Sequence, residues 1–267
     1  MNATGALFSK SDIRDYRLAS AAVQEEFPEE FELSMPKIKN QGSVGSCVAH
    51  SISTVIEYHN KIQNDDSSEM SVGYIYGNRT GTTWFGSGMY TRDAVATTCK
   101  YGDVLKNKFP YNEEVPEIID KFNAIELELF DEGTPNRFST YYRVKTVNEI
   151  KYALMKHGPV VFAIDWYDDM KVVNGIMQTN KVGDAGGHCM VIYGWNKTGW
   201  LIQNSWGSRW GKSGRAIMPY TFKIREAYGI TDTIIGDTEE IKKPFNSTIG
   251  SIFAKIINWI LNLFKKF

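Results

Sequence analysis

Little in this chain of 267 residues is available for disulfide or metal chemistry: three cysteines, an odd number, and four histidines. None of the cysteines has C-x-x-C spacing, so neither a zinc site nor a disulfide framework is supported, and a reducing compartment is expected. A net charge of −1 removes any bulk electrostatic case for a nucleic-acid partner. Residues 1–20 carry Lys10, Asp12, Arg14, Asp15 and Arg17 and lack the apolar run of about 7–15 residues that marks a secretory signal. A cytoplasmic location is therefore expected, with release or membrane-surface association left open. No internal repeat or low-complexity tract is visible, and neither a cofactor nor a metal is expected.

What is present suffices for a full globular core, with 42% hydrophobic and 13% aromatic residues. Chemistry concentrates in Gln41-Gly42-Ser43-Val44-Gly45-Ser46-Cys47-Val48-Ala49-His50. After Cys47, apolar residues at Val48, Ile52, Val55, Ile56 and Ile62 follow a helical period, which predicts Cys47 in a first helical turn. Free N–H groups and the helix dipole there favour thiolate over thiol. Gly42 and Gly45 permit close backbone approach, and the Gln41 amide is a neutral donor that could hold an oxyanion together with the Cys47 N–H. A lone cysteine is more often a buried structural thiol.

Two distant segments change that balance: Gly186-Gly187-His188-Cys189-Met190-Val191, a histidine heading an apolar strand, and Gln203-Asn204-Ser205-Trp206-Gly207. An imidazole beside a thiol can hold the thiolate–imidazolium pair and return the proton to a leaving amine. Asn204 would fix the tautomer and ring angle of His188, and Trp206 would shield that bond from water. His50, His59 and His157 read as packing or capping residues, Cys99 as an apolar filler, and Cys189 as pocket wall.

The three segments, in the order cysteine, histidine, asparagine, resemble the active-site blocks of the papain family of cysteine peptidases, whose histidine follows the cysteine by about 130–150 residues. The resemblance covers most of Lys37 to Thr233. Val48 and His50 stand where the family usually has aromatics, and Val44 where secreted members have a disulfide cysteine. The Gly-Ser-Cys-Val-Ala-His form looks more like the bacterial and phage branch. The resemblance implies an α+β, two-lobed fold with a helical lobe, a β-barrel-like lobe and the cleft between them. It also implies a polypeptide substrate, Cys47, His188, Asn204 and Gln41 as catalytic residues, and Gly88 as the glycine that binds substrate backbone. Met89 and Tyr90 then lie beside the pocket for the side chain two residues before the cut. Ala163, Cys189 and Trp206 complete the expected substrate-binding set.

Along the chain, residues 1–36 read as an N-terminal extension; its first 30 are polar, end in the solvated acidic run Glu25, Glu26, Glu29 and Glu30, and are too short for the family's long helical propeptide. Residues 37–236 form the expected peptidase domain. Within it, Met70 to Arg79 and Met89 to Tyr101 read as helices, the latter capped by Gly102, and Asn107 to Tyr142 as loop. Thr146 and Glu149 predict a capping box; strands are expected at Val160–Trp166, Cys189–Trp195, Gly199–Asn204 and Arg215–Pro219. Residues 237–267 read as a linker and an amphipathic helix, with Ile249, Ile252, Phe253, Ile256 and Ile260 on one face. Over 246–267 that face could meet the enzyme itself, a protein partner or a membrane surface, and could restrain activity by folding into the cleft.

The sequence thus predicts a cysteine endopeptidase working through a thioester. The alternatives are an exopeptidase or amidase on the same fold, and a non-catalytic binding protein acting through the C-terminal helix.

Overall fold

The computed structural model describes residues 3–10, 26–79, 87–110 and 127–231. The C-terminal helix expected over 246–267 and the glycine-rich loop before Ser87 lie outside the described residues. In chain order the elements are β1 (Ala6–Leu7), β2 (Phe31–Glu32), α1 (Cys47–Asn64), α2 (Val72–Gly77), β3 (Met89–Tyr90), α3 (Thr91–Tyr101), α4 (Leu127–Gly133) and β4 (Thr140–Arg143). There follow α5 (Val147–His157), β5 (Val160–Tyr167), β6 (Lys171–Val173), β7 (Ile176–Gln178), β8 (Ala185–Trp195), β9 (Gly199–Gln203), β10 (Arg215–Pro219) and β11 (Ile224–Thr231). The helices come first and most strands later, which is the expected α+β class.

The main sheet runs β4-β11-β5-β8-β9-β10-β7-β6, with β2 also paired to β8, and its two faces separate by the period of two. On β5, Val161 and Ala163 pack toward α1 with Val48, Ile52 and Val55, while Val160, Phe162 and Ile164 join Ile150 and Leu154 of α5 on the other face. The same alternation on β8 sends Cys189 and Val191 to the first cluster and Met190 and Ile192 to the second. The buried central strands β5 and β8 thereby fix one register, since a one-residue slip would exchange the two cores.

Several predicted elements form as read. The Thr146 side chain caps the Glu149 N–H while Glu149 reaches back to the Thr146 N–H, so α5 starts on a capping box. Gly158, at φ 101, ends it. The helix expected from Met89 begins two residues later, because Met89 and Tyr90 pair as β3 with Ala6 and Leu7. The stretch 107–142 is not all loop: it contains α4 and the start of β4, whose Tyr142 is buried against the second core cluster. Residues 26–36 are no free extension either. Phe31 stacks on Trp195 at 4.9 Å, and the Trp195 indole donates to the Pro28 carbonyl at 3.1 Å. Among the described residues, no helix is long and apolar enough to cross a membrane.

One buried ion pair ties the chain just before the cysteine segment to α1. Lys39 Nζ lies 2.6 Å from Glu57 Oε1, which also accepts the Met70 N–H at 2.8 Å. Burial pushes the Glu57 carboxyl up, and Lys39 opposes that shift. Lys39→Met would leave the carboxylate buried without its cation, and a loss of about 3 kcal/mol of stability is expected in urea unfolding. An unchanged midpoint would show that the pair contributes nothing net.

Candidate active site

Two backbone stitches bring the predicted residues together. The Gln41 N–H donates to the Ser205 carbonyl at 2.8 Å and the Gly207 N–H to the Lys39 carbonyl at 3.0 Å, so the segment before α1 lies along the segment after β9. Gly42, at φ 58, turns the chain into α1, and Cys47 is its first residue. His188 lies on β8, packed against α1, and Asn204 follows β9, the neighbouring strand. Gln41, Cys47 and His188 are fully buried, and Asn204 nearly so.

Hydrogen bonds define which atoms can act. Asn204 Oδ1 receives the Ser205 N–H at 2.8 Å and stands 2.8 Å from His188 Nε2, so the acceptor end of the amide faces the ring and Nε2 carries the hydrogen. The basic nitrogen of the neutral ring is then Nδ1, which has no hydrogen-bond partner among the described residues. Trp206 stacks on the imidazole, centroids 4.2 Å apart and planes 22° apart, and Trp166 meets it edge-on at 5.2 Å. Both indoles thus cover the imidazole that bonds Asn204. The Gln41 amide is held equally firmly: Oε1 accepts from the Ser205 hydroxyl at 2.7 Å, and Nε2 donates to the Val44 carbonyl at 2.9 Å, leaving its second hydrogen for the cleft.

That hydrogen is already in use. Residues 3–9, part of the expected N-terminal extension, cross the site as a strap. The Ala3 carbonyl accepts from Gln41 Nε2 at 3.2 Å and from the Trp206 indole at 3.0 Å. The Gly5 N–H bonds the Gly187 carbonyl at 2.9 Å, the Gly5 carbonyl accepts from the Met89 N–H at 2.9 Å, and Ala6 and Leu7 run parallel to Met89 and Tyr90. Ser9 closes the strap: its N–H donates to Glu226 Oε2 at 3.1 Å, and its hydroxyl accepts the Arg92 N–H at 3.2 Å. No periodicity marks residues 3–9, so only the tertiary structure reveals them as cleft residues.

The covered site is electrostatically silent. Burial pushes the Cys47 thiol up to about 11, against opposing backbone hydrogen bonds from Cys189, Val48 and Gly5. Burial also pulls His188 down to about 4, despite its bond to Asn204. At neutral pH the thiol is protonated and the imidazole uncharged, so the nucleophilic ion pair is not populated beneath the strap. Of the backbone groups that oppose burial at Cys47, Gly5 belongs to the strap.

The other predicted residues fall as follows. The Gly88 N–H donates to the Tyr76 hydroxyl at 3.1 Å, and the Met89 N–H beside it donates to the Gly5 carbonyl of the strap. Met89, Ala163 and Cys189 are buried around the cleft, and Tyr90 is half-buried at its edge. His50 is a capping residue: its Nδ1 stands 3.0 Å from the Ser46 carbonyl, and burial lowers it to about 3. Cys99 packs against the core around α1, and no disulfide joins the three cysteines. Among the described residues, no cluster of histidine, cysteine, aspartate or glutamate could hold a metal ion. Sequence reasoning missed Ser205, which orients Gln41, as well as Trp166, the Gly187 carbonyl and the strap. Ser205 follows Asn204 directly and was the most accessible of these.

Comparison with known proteins shows the family and the fold. The sequence model described as papain family cysteine protease matches residues 27–236. A cysteine protease of Blomia tropicalis is 28% identical over 202 residues, covering 67% of this chain and 56% of the relative. Cathepsin O of Homo sapiens is 25% identical over 191 residues, covering 67% and 56%. The chain thus spans little more than half the length of these curated relatives. Among solved structures, xylellain, a cysteine protease from Xylella fastidiosa, superposes with a TM-score of 0.75 at 22% identity, over 87% of this chain and 97% of that one. A procathepsin B from Trypanosoma congolense gives 0.68 at 20%, over 87% of each.

Proposed function

The chain belongs to the papain family of cysteine proteases, and from that premise we propose that it is a cysteine endopeptidase held latent by its own residues 3–9. The reading rests above all on the Ala3 carbonyl, which sits on the Gln41 amide where the oxyanion of a tetrahedral intermediate would be held.

With the strap withdrawn and water admitted, the desolvation that separates the two groups is relieved. Cys47 passes its proton to His188 Nδ1, and the thiolate attacks the peptide carbonyl carbon. Gln41 Nε2 and the Cys47 N–H stabilise the oxyanion. As the C–N bond breaks, the imidazolium gives its proton to the leaving amine, and a thioester remains on Cys47. His188 then takes a proton from water, whose oxygen attacks the thioester; collapse releases the carboxylic product and restores the thiol. Asn204 keeps Nδ1 presented to the reaction throughout.

Internal cleavage, rather than trimming from an end, is supported by the path of the strap. The chain passes over the catalytic residues and leaves the groove at Lys10, which is exposed. A longer polypeptide can follow the same path. Incubating a strap-released variant with a peptide library blocked at both ends tests this: internal cuts are expected, and cleavage of unblocked ends alone would assign an exopeptidase instead.

A further inference from the structure

His50 is a buried imidazole, 1% exposed, standing where the papain family usually has an aromatic ring, and the mechanism above does not use it. It lies in the first turn of α1, and its own N–H donates to the Ser46 carbonyl at 3.0 Å. The ring reaches back to the same residue: Nδ1 stands 3.2 Å from the Ser46 hydroxyl and 3.0 Å from the Ser46 carbonyl. The Asn40 backbone bonds this ring as well. Ser46 immediately precedes Cys47, and Asn40 immediately precedes Gln41. One imidazole therefore joins the two ends of the turn that carries the nucleophile and the side-chain oxyanion donor.

Burial keeps the ring uncharged near neutrality, so it has one N–H and one lone pair to place. The Asn40 contact favours the protonated ring, which marks the group facing it as the carbonyl, an acceptor. Nδ1 has a hydroxyl beside it that can donate. The hydrogen-bond network thus assigns the hydrogen to Nε2, directed at the Asn40 carbonyl, and leaves Nδ1 to accept from Ser46 Oγ. A phenyl ring would fill the space and make neither bond. The turn itself is easily deformed, since Gly42 and Gly45 supply little stiffness of their own. Its outer edge is tied down, with the Gly42 N–H on Asn40 Oδ1 at 3.3 Å and Asn40 paired to Trp206. The imidazole carries that anchorage across to the Cys47 end, where a small misplacement of the oxyanion donors is costly.

We propose that His50 is a positioning residue for the oxyanion site: by bonding Ser46 and Asn40 at once, its imidazole sets the spacing between the Gln41 amide and the Cys47 N–H. It touches no reacting atom. The inference rests on the oxyanion role given to Gln41 above and deepens it.

The test takes the full chain with Gly5→Val, which displaces the strap, and a fluorogenic peptide as the reference. His50→Phe keeps an aromatic ring but loses both polar edges, and is expected to lower kcat about 10-fold with little change in KM. His50→Gln, whose amide has a donor and an acceptor, should recover most of that loss. Ser46→Ala, which removes the hydroxyl and spares the ring, should lower kcat about 3-fold. With Gln41→Ala added, neither His50→Phe nor Ser46→Ala should cost further kcat, because the group being positioned is gone. A packing role alone predicts that His50→Phe leaves kcat unchanged, or that its loss multiplies with that of Gln41→Ala, and either result overturns the assignment. Should urea unfolding show that His50→Phe does not fold, Ser46→Ala decides, and a loss that multiplies with Gln41→Ala refutes the proposal. If Gln41→Ala itself leaves kcat unchanged, the oxyanion reading fails and this inference with it.

Discussion

Gly5→Val should raise peptidase activity by about 10-fold or more, because it excludes the strap from the cleft without touching a catalytic group. A Cβ at Gly5 would stand 2.0 Å from the Gly45 carbonyl oxygen, a backbone atom at the tight turn into α1 that has no side chain to swing aside. The strap is confined elsewhere too: a Cβ on Gly88 would meet the Gly5 carbonyl at 2.5 Å, and one on Gly187 the Ala6 carbonyl at 1.8 Å. Glycines on both sides let two backbones lie this close, so a branched side chain at position 5 cannot be accommodated by local adjustment.

The same substitution should change the pH dependence of the thiol. Under the strap, burial holds Cys47 near 11 and His188 near 4, so alkylation of the parent should rise only as pH climbs toward the thiol's raised value. Once hydrated, the pair can exchange its proton, and alkylation of the variant should already be fast near neutrality. Labelling rate against pH and kcat/KM on a fluorogenic peptide are the measurements. A synthetic peptide of residues 1–10 should inhibit the variant in trans. If parent and variant label and cleave at equal rates, the strap is no restraint.

The restraint and the catalytic residues differ in how legible they were. Gln41, Cys47, His188 and Asn204 could be read because each sits in a local block with its own demands: glycines before a helix, a strand head after a glycine pair, a turn before an indole. The central strands β5 and β8 could be read because dense apolar runs suit strands covered on both faces. The strap could not, since its partners are Gln41, Met89, Gly187 and Glu226, none of them near in sequence, and two paired residues leave no periodic signal. β3 was absorbed into the following helix for the same reason. β11 was missed because the register shifts between Ile224 and Glu226, and a charge buried in mid-strand reads as surface until the strand beside it is known. The restraint expected from a C-terminal helix falls on residues outside the described structure, whereas the cleft is occupied from the other end of the chain.

In the strap-released background, Cys47→Ala and His188→Ala should each lower kcat by at least about 10³-fold, and the double variant should fall no further. The reason is that the two residues make one nucleophile: without the imidazole the thiol keeps its proton, and without the sulfur the imidazole has nothing to activate. Gln41→Ala should behave differently. It removes one oxyanion donor while leaving the Cys47 N–H, so a fall in kcat of about 10²–10³ is expected with little change in KM, because the ground-state carbonyl carries far less charge than the oxyanion. Epoxide labelling should vanish in Cys47→Ala but persist in Gln41→Ala. Losses at Cys47 and His188 that simply multiplied would mean that the two act independently, and the cooperation proposed between thiol and imidazole would then be wrong.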